Sequence, residues 1–363
     1  MSSLPISPST PKFKVPAKNS IRRELKKRAN EYFKSAGTAP TGNRKLFLKA
    51  LFIVSAYFAL YIHLVFFTPH WAIAIVECII LGMLTAAVGF NIMHDGAHGS
   101  FSSKKWVNEL AGMSLNLLGA NVFMWKTKHN TVHHTYTNIE GVDDDLNARP
   151  FLRLCENQKR YAPHKYQHIY FGFVYALLYH YWVFFTDYKK YFTGRVGEIE
   201  IPKMSATEHF LFWFFKIFHL FTFIVFPIYM VGFLPWLIGF TLFGFVAGIV
   251  MSLVFQLAHV VEETSFPAVD DQGMAEDEWV IHQLRTTANF SPTSRFLSWF
   301  TGGLNYQIEH HLFPNISHIH YPAISKIVQQ LCLENGIPYI QYHHFGTAVR
   351  SHVNHLRHLG AKS

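Results

Sequence analysis

Two long stretches almost without charge limit what this chain can fold into. Between Ala50 and His94 the only charged side chain is Glu77, and between Ile217 and Val261 there is none. Each stretch is about twice the ~20 residues that one spanning helix requires. Each also carries turn-forming residues near its middle, Thr68-Pro69 in the first and Gly232 to Pro235 in the second. Two hairpins of spanning helices are therefore predicted, 47–67 with 71–93 and 209–231 with 235–258. The expected fold class is an all-α integral membrane protein with four transmembrane helices.

Composition agrees with this class. Half of the 363 residues are hydrophobic and only 15% are charged, against about 25% in ordinary soluble domains. The formal charge of +9 is read as a membrane-surface feature, with membrane lipids and no nucleic acid as partners. Lys and Arg avoid the hairpin turns and gather in the N-terminal segment, in 99–208 and in the C-terminal region. By that asymmetry both hairpins enter from the cytosol and return to it, leaving both termini cytosolic. The first residues lack the apolar core of a signal peptide and read as a mobile lead-in to a basic helix around "IRRELKKRANEYFKSAG". Lys216 is expected to snorkel to the surface, and Glu77 to sit at the opposite interface. The segment 107–125 is expected to be re-entrant or surface-lying, and 170–185, rich in Tyr and Trp, to lie in the headgroup belt. The resulting division is a cytosolic segment 1–44, a membrane domain 45–340 and a basic cytosolic tail 341–363.

Histidines cluster where the hairpins meet the cytosol. "HDGAH" places His94 and His98 four residues apart, on one helical face, and "HNTVHH" does so with His129 and His133 and adds His134. Neighbouring residues on a helix point about 100° apart, so an HH pair can face two metal ions at once. "QIEHH" repeats that logic with His310 and His311, and His259 closes the fourth spanning helix at the same level. With 23 His in the chain, chance supplies about 1.5 pairs at this spacing, so one such pair carries no weight. The pair His164/His168 in a polar loop is taken as the chance one. His63 and His70 lie toward the opposite face. His180, His209 and His219 read as interfacial or packing residues. His343, His344, His352, His355 and His358 read as a solvated basic surface, while His282, His318 and His320 flank the third cluster. The three cysteines are widely spaced, which leaves nitrogen and oxygen as metal ligands.

The zinc-protease pattern HExxH fails, because Asp95 stands where it needs Glu. A membrane haem would sit between paired histidines inside spans, whereas these sit at helix ends in twos and threes. Spacing alone reads as a polyhistidine site for two metals and goes no further, since imidazole suits iron, copper and zinc alike.

Two hairpins with "HDGAH", "HNTVHH" and "GGLNYQIEHHLFP" resemble the membrane fatty acid desaturase family, over about residues 45–340. Gln307 before the HH pair, with "TTANFSP" and "ENGIPY", is similar to the front-end (Δ5/Δ6-like) and bacterial linoleoyl-CoA desaturase-like branch. The resemblance implies re-entrant or interfacial helices beside the spans and a helical cytosolic cap holding a non-haem di-iron centre. It implies two Fe ions that use O2 and two electrons to place a double bond in a fatty acyl-CoA or acyl-lipid. The implied ligands are His94, His98, His129, His133, His134, His259, His310 and His311, with Gln307 as a further candidate. Asp95, Glu309 and Glu262 are expected to orient imidazoles, and the aspartate run Asp143 to Asp145 is read as solvated loop charge. Trp125, Lys126 and Lys128 are candidates for touching the acyl chain or its head group, with 107–125 and the cytosolic helix ends as walls of an apolar tunnel. With no HPGG haem motif in the sequence, electrons are expected from a separate ferredoxin or cytochrome b5. A hydroxylase or ketolase on the same scaffold, or a non-catalytic membrane metal-binding or transport protein, are the competing readings.

Overall fold

The computed structural model describes residues 10–15 and 20–361; most of the expected N-terminal lead-in lies outside them. Ile21–Ala36 forms α1, as the basic helix was predicted. Four helices are long and apolar enough to cross a membrane: α2 (Arg44–Phe67), α3 (Trp71–His98), α8 (Ala206–Val231) and α9 (Phe233–His259). Asn43 starts α2 by accepting from the amides of Lys45 and Leu46, and Thr68 stops it in the left-handed region at φ 41°. At the start of α8, Ser205 accepts from the Glu208 amide while the Glu208 side chain accepts from the Ser205 amide, a reciprocal cap that satisfies two otherwise free donors.

Between the hairpins come α4 (Lys105–Leu117), then α5 (122–136), whose middle, Thr127–His133, is a π-helical turn. Next are α6 (Ala162–Ala176) and α7 (Leu178–Thr193), bent by 58° at their junction. The segment 107–125 is therefore a helix with a break, followed by a new helix start. The aromatic segment 170–185 straddles the α6–α7 bend. After the second hairpin follow α10 (Trp279–Thr286), α11 (Arg295–Phe300), α12 (Gln307–Leu312), α13 (Tyr321–Glu334) and α14 (Phe345–Ala361).

The spans pack through α3 against α9. A Cβ on Gly82 of α3 would lie 2.5 Å from the Phe243 carbonyl oxygen of α9, so only glycine admits this approach, a common device for helices packing in lipid. Away from the lipid, α1 lays Leu25 and Ala29 on α13, beside Ile324 and Val328, and Arg28 clamps Glu334 through two nitrogens at 3.0 and 2.6 Å.

Two expectations need correction here. Lys216 does not snorkel: it is buried and ion-paired with buried Asp187 at 3.0 Å. His352 is not solvated either. Its Nε2 lies 2.8 Å from the Tyr175 hydroxyl and its Nδ1 donates to the Val260 carbonyl at 2.6 Å. The reason is amphipathicity: Ala348, His352, Leu356 and Leu359 share one buried face of α14. Glu77 pairs with His63 at 2.8 Å beside the α2–α3 turn.

Candidate metal centre

The helix ends bring eight imidazoles into one buried pocket. His94 and His98 come from the last turn of α3, His259 from the last residue of α9, His129, His133 and His134 from α5, and His310 and His311 from α12. Ring nitrogens of His94, His98, His129 and His310 all lie within 4.8 Å of one another, as do those of His133, His259 and His311. His134 joins His310 and His311 in a third such group, so it lies between the other two. Adjacent His133 and His134 fall in different groups, whereas His310 and His311 share the third and each also belongs to one of the other two.

The π-helical turn contributes what regular spacing would not. Its i→i+5 bonding stacks residues five apart, and His129 and His134 meet at 3.2 Å between Nε2 atoms. His94 and His129 meet at the same distance.

Four rings share one arrangement. His133 Nδ1 donates to Asp143 at 3.0 Å, His259 Nδ1 to the Thr286 carbonyl at 3.1 Å, and His311 Nδ1 to Gln283 Oε1 at 2.7 Å, while His310 Nδ1 pairs with the Tyr321 hydroxyl at 3.2 Å. The Nε2 of each of these rings is buried and has no hydrogen-bond partner, and so is the Nε2 of His98. Orphaned buried nitrogens are costly, and an outer bond at Nδ1 with Nε2 left free is how metal-binding histidines are held. The residues therefore fit a metal-binding site made almost wholly of neutral nitrogen donors.

Electrostatics supports the neutral form. Burial, reinforced by neighbouring imidazoles, pushes His129, His134, His310 and His311 well below the ordinary histidine range. His133 is the exception. Burial works against its charged form, but Asp143 and Asp145 outweigh that and raise it. Burial likewise opposes the Asp145 carboxylate, yet Lys128 and His133 hold it below the usual carboxylate range.

The aspartate run is accordingly not solvated loop charge. Asp143 is buried against His133, Asp145 lies 3.3 Å from the same ring, and Lys128 is paired with Asp145. Lys128 is thus engaged with these carboxylates. The Asp95 carboxylate hydrogen-bonds none of the eight rings; it accepts from Ser317 Oγ at 2.7 Å and His318 Nδ1 at 3.0 Å, tying α3 to the chain after α12. Glu309 is buried and accepts from Asn289 and Tyr339, at 2.8 and 3.0 Å; burial pushes its carboxyl up to about 7. Glu262 is exposed and its carboxylate meets Asn354. His282 donates to the Thr137 carbonyl. His164 bonds the Pro150 carbonyl, outside the cluster. Gln307 is buried, with its amide nitrogen unpartnered. Gln283 and Tyr321 were missed at the sequence level, where no spacing links them to the boxes.

Trp125 stacks on His129 with ring centroids 4.3 Å apart. Beside it a narrow cavity opens against His94, lined by apolar groups that include Leu115, Leu118, Val183 and Met251. The walls come from α3, α4, α7, α9, Trp125 of α5 and the α4–α5 connection. Of the expected walls, 107–125 and the ends of α3 and α9 contribute; α2 and α8 do not line the cavity, and α7 takes part instead. Lys126 is not among the lining residues.

Helices long and apolar enough to span a membrane thus carry, at or beside their ends, a buried polyhistidine cluster that could hold metal, next to an apolar slot. The profile described as fatty acid desaturase matches residues 69–343, and the chain belongs to that family. It is 35% identical over 339 residues to the sn-1 linoleoyl-lipid 6-desaturase of Arthrospira platensis, covering 93% of this chain and 92% of the relative. It is 34% identical over 359 residues to the sn-1 linoleoyl-lipid 6-desaturase of Synechocystis sp., covering 97% and 99%. The acyl-lipid (8-3)-desaturase of Physcomitrium patens is 37% identical over 343 residues, 93% of this chain and 71% of that protein.

Proposed function

We propose that this fatty acid desaturase inserts a cis double bond into a fatty acyl chain, with two irons held by the eight clustered histidines. The observation that carries the reading is the set of buried Nε2 atoms without partners, on rings whose Nδ1 atoms are already held. His94, His98, His129 and His310 would hold one ion, and His133, His259 and His311 the other, with His134 between them. Gln307 completes the proposed set, since its unpartnered amide is free to turn its oxygen toward an ion. When bound, the irons would supply an O2-derived oxidant that takes two hydrogens from neighbouring methylenes, with two electrons and two protons completing the reduction of O2 to water.

The chain's own residues do the rest. Burial keeps most of the imidazoles neutral and so able to ligate. Asp143, Gln283, Tyr321 and the Thr286 carbonyl fix the ring orientations. Trp125 and the apolar cavity hold the acyl chain beside His94 and exclude bulk water. The substrate is an acyl-CoA or acyl-lipid, and the names of the relatives favour the lipid-linked form. The histidine side and both termini face the cytosol, in keeping with the basic residues there. A separate ferredoxin or cytochrome b5 supplies the electrons, and a basic surface complements an acidic donor.

Fatty-acid profiling of expressing cells, with metal analysis of the purified protein, tests this. A new double bond and two irons per chain are expected. Oxygenated chains alone would instead assign a hydroxylase or ketolase, and metal uptake with unchanged lipids a non-catalytic metal protein.

A further inference from the structure

Lys216 and Asp187 form a buried ion pair that the proposed chemistry does not use. Lys216 lies ten residues into α8, about 15 Å along the helix axis, among side chains that face lipid or the packed interior. Its ammonium has three donors, and each finds an acceptor: the Gly119 carbonyl at 2.8 Å, the Val183 carbonyl at 2.9 Å and Asp187 Oδ2 at 3.0 Å. The other carboxylate oxygen of Asp187 accepts from the Trp182 indole at 3.0 Å.

These acceptors belong to two walls of the apolar cavity. Gly119 sits between Leu118 and Ala120, which both line it, and Val183 and Trp182 line it themselves. The fit around Gly119 is close. It has φ +95°, and a Cβ there would fall 2.7 Å from the ring of His219, one turn along α8 from Lys216. Tyr179, another lining residue, donates to the Leu118 carbonyl at 3.0 Å and adds a second tie between the same walls.

Stability does not account for such a pair. Replacing a buried ion pair by apolar groups of similar volume is often neutral or stabilising, and charge within a membrane span is costly and rare. Apolar side chains could not reproduce the two directed bonds to carbonyls on separate backbone segments.

We infer that Lys216 is a positioning residue that fixes the α4–α5 connection against α7, and thereby sets the length and position selectivity of the acyl cavity. The inference rests on the desaturase reading above. Lys216 touches neither the histidines nor the cavity; it acts through the backbone of the residues that do line it.

The test compares full-length wild type with the double variant Lys216→Met/Asp187→Leu, which strands no charge. Iron per chain, thermal unfolding, kcat/KM for acyl substrates of two lengths and the position of the new double bond are measured. Iron content is expected to match wild type, while the unfolding temperature falls somewhat because the Gly119 carbonyl and the Trp182 indole lose their partners. Length discrimination is expected to fall on the order of ten-fold, the lower end of what one methylene is worth in an apolar pocket, and positional isomers to appear. Where the double variant fails to fold, Lys216→Arg serves. It keeps the charge, but its planar fork cannot serve three acceptors arranged around an ammonium, so the same loss of discrimination is expected. A lowered unfolding temperature with the wild-type length ratio and a single double-bond position would overturn the inference and leave a purely structural pair. Absence of any new double bond in wild type would instead overturn the desaturase reading itself.

Discussion

Asp143→Asn is the substitution that probes the metal centre most sharply, because it changes one atom behind one ring. Asp143 Oδ1 accepts from the Asp145 amide at 3.0 Å, Oδ2 accepts from the Asn138 amide at 2.9 Å, and both oxygens face His133 Nδ1, at 3.2 and 3.0 Å. An asparagine has one carbonyl oxygen, so whichever way it turns, its NH2 group meets a backbone N–H. One buried donor is left unsatisfied, at a cost of about 1–3 kcal/mol. The charge behind His133 is also reduced, which weakens the ring as a ligand. Losing such an outer partner typically lowers metal affinity 10–100-fold, or about 1.4–2.7 kcal/mol. Asp145, 3.3 Å from the same ring, remains and should hold the loss toward the lower figure. Iron titration of the purified variant should therefore show weakened binding at the His133, His259 and His311 group, with the His94, His98, His129 and His310 group retained. Wild-type affinity for both ions would refute the idea that Asp143 orients His133.

Other outcomes follow from the same geometry. His310→Ala should lower desaturation by more than the roughly 100-fold that loss of an outer partner can cost, with the protein still in the membrane; His343→Ala, at an exposed position, should retain it, and equal activity would remove the basis of the site. Glu262→Gln should leave iron content and activity unchanged, because that carboxylate meets Asn354 and not an imidazole. Acid should destabilise the metal-free protein. His129, His134, His310 and His311 are lowered by burial, so below about pH 6.5 the unfolded chain binds protons that the fold excludes. Stability then falls with pH from that point, by at most about 1.4 kcal/mol per unit for each ring. Raised His133 acts in the opposite sense, stabilising below the same pH and losing its effect as pH rises through its own higher value. So does Glu309, whose carboxyl is pushed up to about 7 and takes its proton in the fold first, but these are two groups against four. A melting temperature in detergent that stays level or rises from pH 7 to pH 5 would contradict this balance.

What hydropathy and spacing reveal is what depends on nearby residues. All four spans were readable because lipid demands an apolar run of fixed length, and observed and predicted ends differ by few residues. The discrepancy at α3 is informative: a helix expected to end at 93 runs to His98, because Gly96 leaves that surface to pack against Ala111 and Gly112 of α4 and not against water. The His boxes were readable for a similar reason, since ligands on one helix repeat at helical spacing. The π-helical turn that brings His129 to His134 was not, because nothing in residue type distinguishes it from a regular turn. Long-range polar partners were misread in a consistent direction. Lys216 was assigned to the surface, and the aspartate run to solvent, because an isolated charge is cheapest there. In the structure Asp187, 29 residues away, changes that balance for Lys216, and His133 and Lys128 change it for the aspartates. Gln283 lies 28 residues from the His311 that it holds. A charge's partner, more than its own type, decides whether it can be buried, and partners at such separations leave no periodic trace in a single sequence.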